Sequence, residues 1–471
     1  MKSNFMLFGN KKERILYYSL ELICLLLCCF LSRNRASGVF ALLIFVLHAT
    51  AIALNRPRIA FKYLYFYFMM IANVLGCFLC EFGDFYLVEL STYAHYVGAL
   101  PLLVLSQLTF FTFIFELEIK IEKRERRRLT DNKNKTSFND KTLFIINVFV
   151  FILYMVIFVH ILPFSALKIN VDRMEFANLG YNSGIWGFLS KWAQFFVPIP
   201  IACIAYTKKR NYKVFGAITL GVYCAYYLWT GNKFGPFFSL FCVFCMLVFS
   251  KYEIKENLLK RSLIIVIGLI IVLILAAAFI FTKFQNQGIN IGSYIQNRLA
   301  QQGQLFWRTF EITNGETHIS EFGNEIRGTF ARTNSAEELI DAKYGIYNIM
   351  YLCAPKWKID SFILYGSRYT EAGYASAFYY FGLIGCILFA AVIAYVIVQI
   401  TNMIVNSVRS SQLLGMILTI RMFYILCTAW QMFLFGDLFT GTSIITYIWL
   451  IIAKHTKRLK FQIRHGIAFR L

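Results

Sequence analysis

The stretch Ile295-Gln-Asn-Arg-Leu-Ala-Gln-Gln-Gly-Gln-Leu-Phe-Trp-Arg-Thr-Phe-Glu311 decides how the chain is read. Wound as an α-helix at about 100° per residue, it puts Ile295, Leu299, Phe306 and Phe310 on one side, with Gly303 beside them. Gln301, Gln304, Arg308 and Glu311 fall on the opposite side, and Arg298 sits near the boundary. One amphipathic helix over 295–311 is therefore expected, apolar behind and charged in front. It lies in the only long polar insertion between hydrophobic spans, residues 286–371.

The surrounding composition gives that insertion its setting. The chain of 471 residues is 58% hydrophobic and only 15% charged, where a soluble chain carries about a quarter charged residues. An all-α integral membrane protein is expected. Spans of roughly 17–25 apolar residues cross a bilayer, and about twelve are legible. They fall at 15–32, 38–54, 60–80, 95–116, 142–162, 188–206, 214–231, 235–250, 262–282, 373–400, 412–433 and 438–453. The expected organisation is a membrane domain over 1–285, the large loop over 286–371, three more spans over 372–453 and a basic tail over 454–471.

The formal charge of +22 is read as topology rather than as a nucleic-acid footprint, because Lys and Arg collect in cytoplasmic loops. Residues 55–58, 120–141, 208–210, 251–261 and the tail are the basic joints, and they alternate with acidic or mixed joints. Both termini are then cytoplasmic, and the 286–371 loop, with Glu81, Asp84 and Glu89, is external. Arg33 and Arg35 are local exceptions. Eleven of the twelve cysteines lie in the apolar spans, and the CxxC pairs Cys77/Cys80 and Cys242/Cys245 have no His or acidic residue positioned as a metal partner.

Polar residues that can carry chemistry converge on the external side. Asp172 and Arg173 follow the fifth span. Thr230-Gly-Asn-Lys-Phe-Gly235 makes a tight turn that brings Lys233 to the surface. Arg298, Arg308 and Glu311 share the amphipathic helix; His318, Glu321 and Arg332 follow it. Arg368, Glu371 and Tyr374 stand where the chain re-enters the membrane, and Arg421 lies inside the eleventh span. Guanidinium groups match phosphate oxygens bidentately and lysine adds a point charge. An arginine deep in a span faces a cavity or a partner. A carboxylate or imidazole beside them would take the proton of a sugar hydroxyl. That is the equipment for glycosyl transfer from a polyprenyl-diphosphate sugar, with fixed cations holding the leaving group and no metal or other cofactor required. The blander alternative for the 295–311 helix is an interfacial float with its arginines on headgroup phosphates.

In architecture the chain resembles the bacterial O-antigen polymerases, which join oligosaccharide repeat units. The similarity rests on the span count, both ends inside and one dominant external loop in the second half. Locally it rests on Thr230–Gly235, the Arg298-to-Arg308 spacing, Tyr344-Gly-Ile-Tyr-Asn-Ile-Met-Tyr351, and Glu371-Ala-Gly-Tyr374 ahead of Phe381-Gly382. Lys233 departs from the arginine usual in that turn. The resemblance implies a GT-C-like fold in the bacterial inner membrane and undecaprenyl-diphosphate-linked glycans as substrates. It also implies a chain-length regulator protein as partner. Carried onto these residues, it makes Arg298, Arg308 and Lys233 diphosphate ligands, with Arg173, Arg332 and Arg421 as further candidates. Glu311 is the favoured base, with Glu321, Asp172 and His318 as alternatives. Gln301, Gln304, Trp307, Arg368, Glu371 and Tyr374 are candidate sugar contacts. An O-antigen ligase shares the layout and donor. A flippase is the alternative of a different class, expected to show repeated halves and helices broken by Gly and Pro.

Overall fold

The computed structural model describes residues 11–131, 139–165, 184–231, 234–249, 257–265, 267–268, 271–272, 275, 291–331 and 336–464. The main helices are α1 (Lys11–Phe30), α2 (Arg35–Asn55), α3 (Pro57–Lys62), α4 (Leu64–Phe82), α5 (Leu100–Asp131) and α6 (Asp140–Ile161). They continue with α7 (Gly184–Ala193), α8 (Pro198–Tyr206), α9 (Arg210–Trp229), α10 (Phe234–Phe249), α11 (Ile291–Ala300) and α12 (Gln304–Thr313). The rest are α13 (Phe322–Phe330), α14 (Gly345–Cys353), α15 (Lys356–Leu364), α16 (Ala372–Arg409), α17 (Leu413–Met432) and α18 (Gly441–Arg464). Among the described residues the only sheet is a hairpin of β1 (Tyr86–Leu87) and β2 (Thr92–Tyr93), paired antiparallel with Tyr86 opposite Tyr93.

Seven described helical stretches are long and apolar enough to cross a membrane: 35–55, 64–82, 100–124, 140–161, 184–206, 372–408 and 413–432. Two shorter apolar helices, Phe237–Phe249 and Gly441–Ile452, match two more of the expected spans. The first expected span coincides with α1, which carries four charges in its first turn, and the seventh with α9. The ninth, 262–282, falls mostly outside the described residues. Two boundaries differ from the expectation. The fourth span begins at Leu100 rather than at residue 95, because Pro101 fits only the first turn of a helix and the segment before it is extended. The basic segment 120–141, expected as a cytoplasmic joint, continues α5 as far as Asp131.

The chain forms two compact units, each assembled from separated segments. The first comprises residues 1–123, 249–396 and 430–434. Within it, Glu81 at the end of α4 is buried and accepts the backbone N–H of Ala99 at 2.5 Å, so a carboxylate caps the start of α5. At the other end of the same helices, Lys62 donates to both oxygens of Glu118 at 2.8 Å and the Tyr63 hydroxyl joins at 2.5 Å. The α11–α12 segment packs on α4 through two glycines. A Cβ built on Gly303 would lie 2.0 Å from the backbone N of Cys77, and one on Gly76 would lie 2.4 Å from the carbonyl O of Leu299. The two backbones are in direct contact.

The same unit holds a broken helix. Gly382 has φ 65° and ψ −162° inside α16, a conformation open to glycine. A break of this kind frees carbonyls of the preceding turn. That of Tyr379 accepts the His318 N–H at 2.9 Å, which ties the loop onto the kink. Residues 371–380, ahead of the break, are all buried.

The second unit comprises 124–248, 397–429 and 435–471. In it α6 packs on α8 and α9, with Asn147 donating to Thr219 at 3.2 Å and the Tyr154 hydroxyl to the Ala193 carbonyl at 3.1 Å. Arg421 is buried with its guanidinium carbon 4.1 Å from the Phe195 ring centroid and 5.3 Å from that of Trp192. The charge is held by aromatic faces.

Candidate functional site

The expected single helix over 295–311 is two helices. Gln301–Gly303 forms a turn between α11 and α12, and the reason is the contact of Gly303 with the backbone of α4. The break rotates the face of α12. Gln304, expected to point outward with Arg308 and Glu311, is buried and donates its amide to Glu89. Trp307, expected as a sugar platform, is fully buried and donates its indole N–H to the His95 carbonyl at 3.0 Å. Its faces are inside the unit.

What remains at the surface of α12 is a compact ionic cluster. Arg308 donates Nη1 to Glu311 Oε2 at 2.5 Å, one helical turn on. The other oxygen, Oε1, lies 3.0 Å from His95 Nε2. The opposite ring nitrogen, Nδ1, lies 3.1 Å from the Tyr93 carbonyl. Both nitrogens of His95 thus face acceptor oxygens. Arg308 and Glu311 keep about a quarter of their side-chain surface and His95 about half (26%, 23% and 49%), so the cluster is open to a large ligand. Arg308 Nε is buried and has no protein partner. A buried N–H donor without an acceptor is uncommon in proteins, and this one belongs to a permanent cation.

A second set of charges centres on Glu89, joined to α12 through Gln304. Burial pushes the Glu89 carboxyl above the usual range, against the Gln304 hydrogen bond and the nearby charges of Arg298 and Lys358, which lower it. Lys358 donates to the Val88 carbonyl and to the Ser91 hydroxyl, so α15 is clipped to the hairpin loop. Tyr369 donates to the Glu89 carbonyl. Arg298 is exposed, with Nε on the Tyr294 hydroxyl at 3.2 Å and Nη1 on Gln301 Oε1 at 3.0 Å.

The other predicted residues gather elsewhere in the unit or leave the surface. The His318 ring stacks on Tyr379 at 4.4 Å, and its Nδ1 is 3.8 Å from Glu321, which accepts the Tyr379 hydroxyl at 2.8 Å. His318 and Glu321 are therefore engaged with the broken helix. Arg368 is exposed and stands over the Tyr347 ring at 5.5 Å. Glu371 and Tyr374, expected as sugar contacts, are buried because the Gly373 backbone lies against the Trp430 carbonyl and draws the start of α16 inward. Arg421 belongs to the second unit. Asp172, Arg173, Lys233 and Arg332 lie outside the described residues.

Sequence reasoning missed four side chains. His95 is hidden by the early start assigned to the fourth span, and Pro101 is the signal that would have released it. Glu89 and Lys358 carry no local pattern; a long-range contact makes them relevant. Glu325 is buried on α13, accepting the Gly345 N–H and the Tyr380 hydroxyl, each at 2.7 Å. Burial pushes its carboxyl up to about 7. Among the described residues no group of three or more His, Cys, Asp or Glu side chains is placed to hold a metal.

Residues 340–448 match a family described as a family of unknown function, DUF6418. That segment runs from the end of the large loop through α16 and α17 and includes Glu371, Tyr374 and Arg421, but not α11 or α12. No curated protein and no solved structure matches the chain.

Proposed function

We propose that this chain is a polyprenyl-diphosphate-dependent glycosyltransferase. It would extend a surface polysaccharide of the O-antigen class by joining lipid-linked repeat units at the external face of the bacterial inner membrane. The single observation that carries the reading is Arg308, a surface-reachable guanidinium with a buried, unpartnered Nε, joined to a carboxylate that also meets an imidazole. A phosphate that draws Arg308 from Glu311 would turn Nε out to meet it, and Arg298 and Lys358, whose charges act on Glu89, add positive charge in the same unit. The apolar helices and the basic joints supply the membrane setting; about twelve spans and a GT-C-like arrangement belong to the same proposal.

The chemistry follows from the pairing. In the resting cluster both Glu311 oxygens are occupied, one by Arg308 and one by His95. Once Arg308 turns to the diphosphate, Glu311 Oε2 is free to accept the proton of an acceptor sugar hydroxyl. The hydroxyl oxygen attacks the anomeric carbon of the donor glycan. The bond from that carbon to the diphosphate oxygen breaks, and its electron pair leaves with the polyprenyl diphosphate. Arg308 with Arg298 holds the charge that develops there, while His95 orients Glu311 through Oε1.

The test is deletion of the gene in its host, followed by gel analysis of surface lipopolysaccharide. A core bearing one repeat unit and no ladder is expected. A bare core with accumulated lipid-linked polymer would point to a ligase, a bare core without it to a flippase, and an unchanged ladder would overturn the reading.

A further inference from the structure

The helix α13 turns its apolar side outward and its carboxylate inward. Gly323, Ile326, Arg327 and Phe330 are its exposed residues, and at helical spacing they share one arc of about 100°. Ile326 and Phe330 are 55% and 69% exposed, and Ile319, in the 3₁₀ turn that leads into the helix, is 64% exposed. On the opposite arc Glu325 is buried against the Gly345 N–H and the Tyr380 hydroxyl, and a Cβ on Gly328 would lie 2.1 Å from Tyr344 Cγ. A helix beside water places its charged groups outward and its large apolar side chains inward. This one is inverted, the arrangement of a helix whose outer face meets something apolar.

The contacts at its start fix where that helix sits. His318 donates its backbone N–H to the Tyr379 carbonyl, the Phe322 ring centroid lies 4.8 Å from that of Phe381, and a Cβ on Gly382 would lie 2.9 Å from Thr317. The segment leading into α13 is thus attached at the break in α16. Ahead of the break α16 is buried in protein. Beyond it Ile384, Leu388 and Val392, one turn apart, are exposed and form the apolar stripe that a spanning helix turns to lipid. From Gly382 to Val408 the helix runs about 39 Å at 1.5 Å per residue, enough by itself to cross a hydrocarbon layer of about 30 Å. On that measure the break falls near one membrane surface.

We propose that the Ile319, Ile326 and Phe330 face is a lipid-docking surface. α13 lies on the membrane leaflet at the end where α16 begins, with these side chains among the upper acyl carbons and the Arg327 guanidinium at the headgroup phosphates. Two observations choose lipid as the occupant. The exposed apolar surface of α16 begins at Ile384, just past the break that holds this segment, so lipid is already the neighbour there. The exposed charge of α13 is a cation, the sign that lipid phosphates attract. A helix docked in this way sinks about 5–10 Å into the boundary between headgroups and acyl chains. It holds this part of the large loop at the height of the headgroups and ties the broken end of α16 to the same level. The surface needs only the membrane setting and is independent of the glycosyl-transfer reading.

The experiment uses the full chain in nanodiscs of phosphatidylcholine and phosphatidylglycerol. Ile319→Cys, Ile326→Cys and Lys343→Cys are each labelled with a fluorescent maleimide, and the signal from the twelve native cysteines, measured on wild type, is subtracted. Lys343 is exposed and charged just ahead of α14, and serves as the water-facing reference. All three substitutions fall on exposed side chains, so the fold is expected to survive them. A lipid carrying a doxyl quencher near the top of its acyl chain should remove roughly half or more of the emission at both isoleucine positions, and aqueous iodide little of it. At Lys343→Cys the order should reverse. Iodide quenching at the isoleucine positions equal to that at Lys343→Cys would place the face in water and overturn the proposal. Shielding from both quenchers would mean that protein, a second copy or another chain, covers the face, and would overturn it as well.

Discussion

Arg308 uses one nitrogen to hold Glu311 and keeps Nε buried without a protein partner. Replacing it with Ala removes both roles, and polysaccharide chain growth is expected to fall by about 100-fold or more while the protein stays inserted. Arg308→Lys keeps the charge but loses the fork, and should recover only a small part of the activity in the same gel assay. Equal activity in all three proteins would end the phosphate assignment. Glu325 gives a prediction of a different kind. Its folded carboxyl titrates at about 7 against 4.5 for the free group, so the folded state holds the proton more tightly. Its contribution to stability is complete below about pH 4.5 and is lost as pH rises through about 7, by roughly 3 kcal/mol. Unfolding midpoints should fall over that window, and Glu325→Gln should flatten the part due to this residue. At this scale the sequence was a partial guide. The i, i+3 spacing of Arg308 and Glu311 is written in the chain, whereas His95 reaches Glu311 across more than 200 positions and leaves no local trace.

At the scale of an element, the 295–311 pattern is helical throughout, and periodicity alone offers no reason to break it. The reason is Gly76, far away in α4, whose missing side chain lets Gly303 approach to backbone contact. A packing constraint of that sort turned Gln304 and Trp307 inward and left Arg308 and Glu311 outside. Gly303→Ala should therefore be severe, costing on the order of 3 kcal/mol and displacing α12 from α4. Gly323→Ala on α13 meets open space and should be neutral or slightly stabilising. Thermal midpoints of the two variants would separate the outcomes; equal midpoints would mean the crossing is not tight. The α16 kink at Gly382 falls inside a run read as one span over 373–400, and its capture by the His318 N–H left no local trace either.

At the scale of the molecule, hydropathy and charge gave the class of fold and most helix positions, because lipid-facing surface must be apolar over a fixed length. The described helices support this directly: Arg35–Asn55 and Asp140–Ile161 bury only about a third of their apolar stretch (33% and 28%), whereas Leu64–Phe82 buries 61%. Sidedness makes the matching prediction. Cysteine placed at Lys356, exposed at the start of α15, should react with a membrane-impermeant maleimide on intact cells whose outer membrane has been opened. Cysteine at Lys208, in a basic joint, should react only after lysis; the reverse pattern would invert the topology. The tight crossing of Gly76 and Gly303 bears on how a greasy substrate would arrive. At that crossing the two backbones touch, and no lipid tail passes between them. A prenyl tail bringing its diphosphate to Arg308 would have to slide in along a different flank of α12, and that flank is where a competitive lipid analogue should lodge.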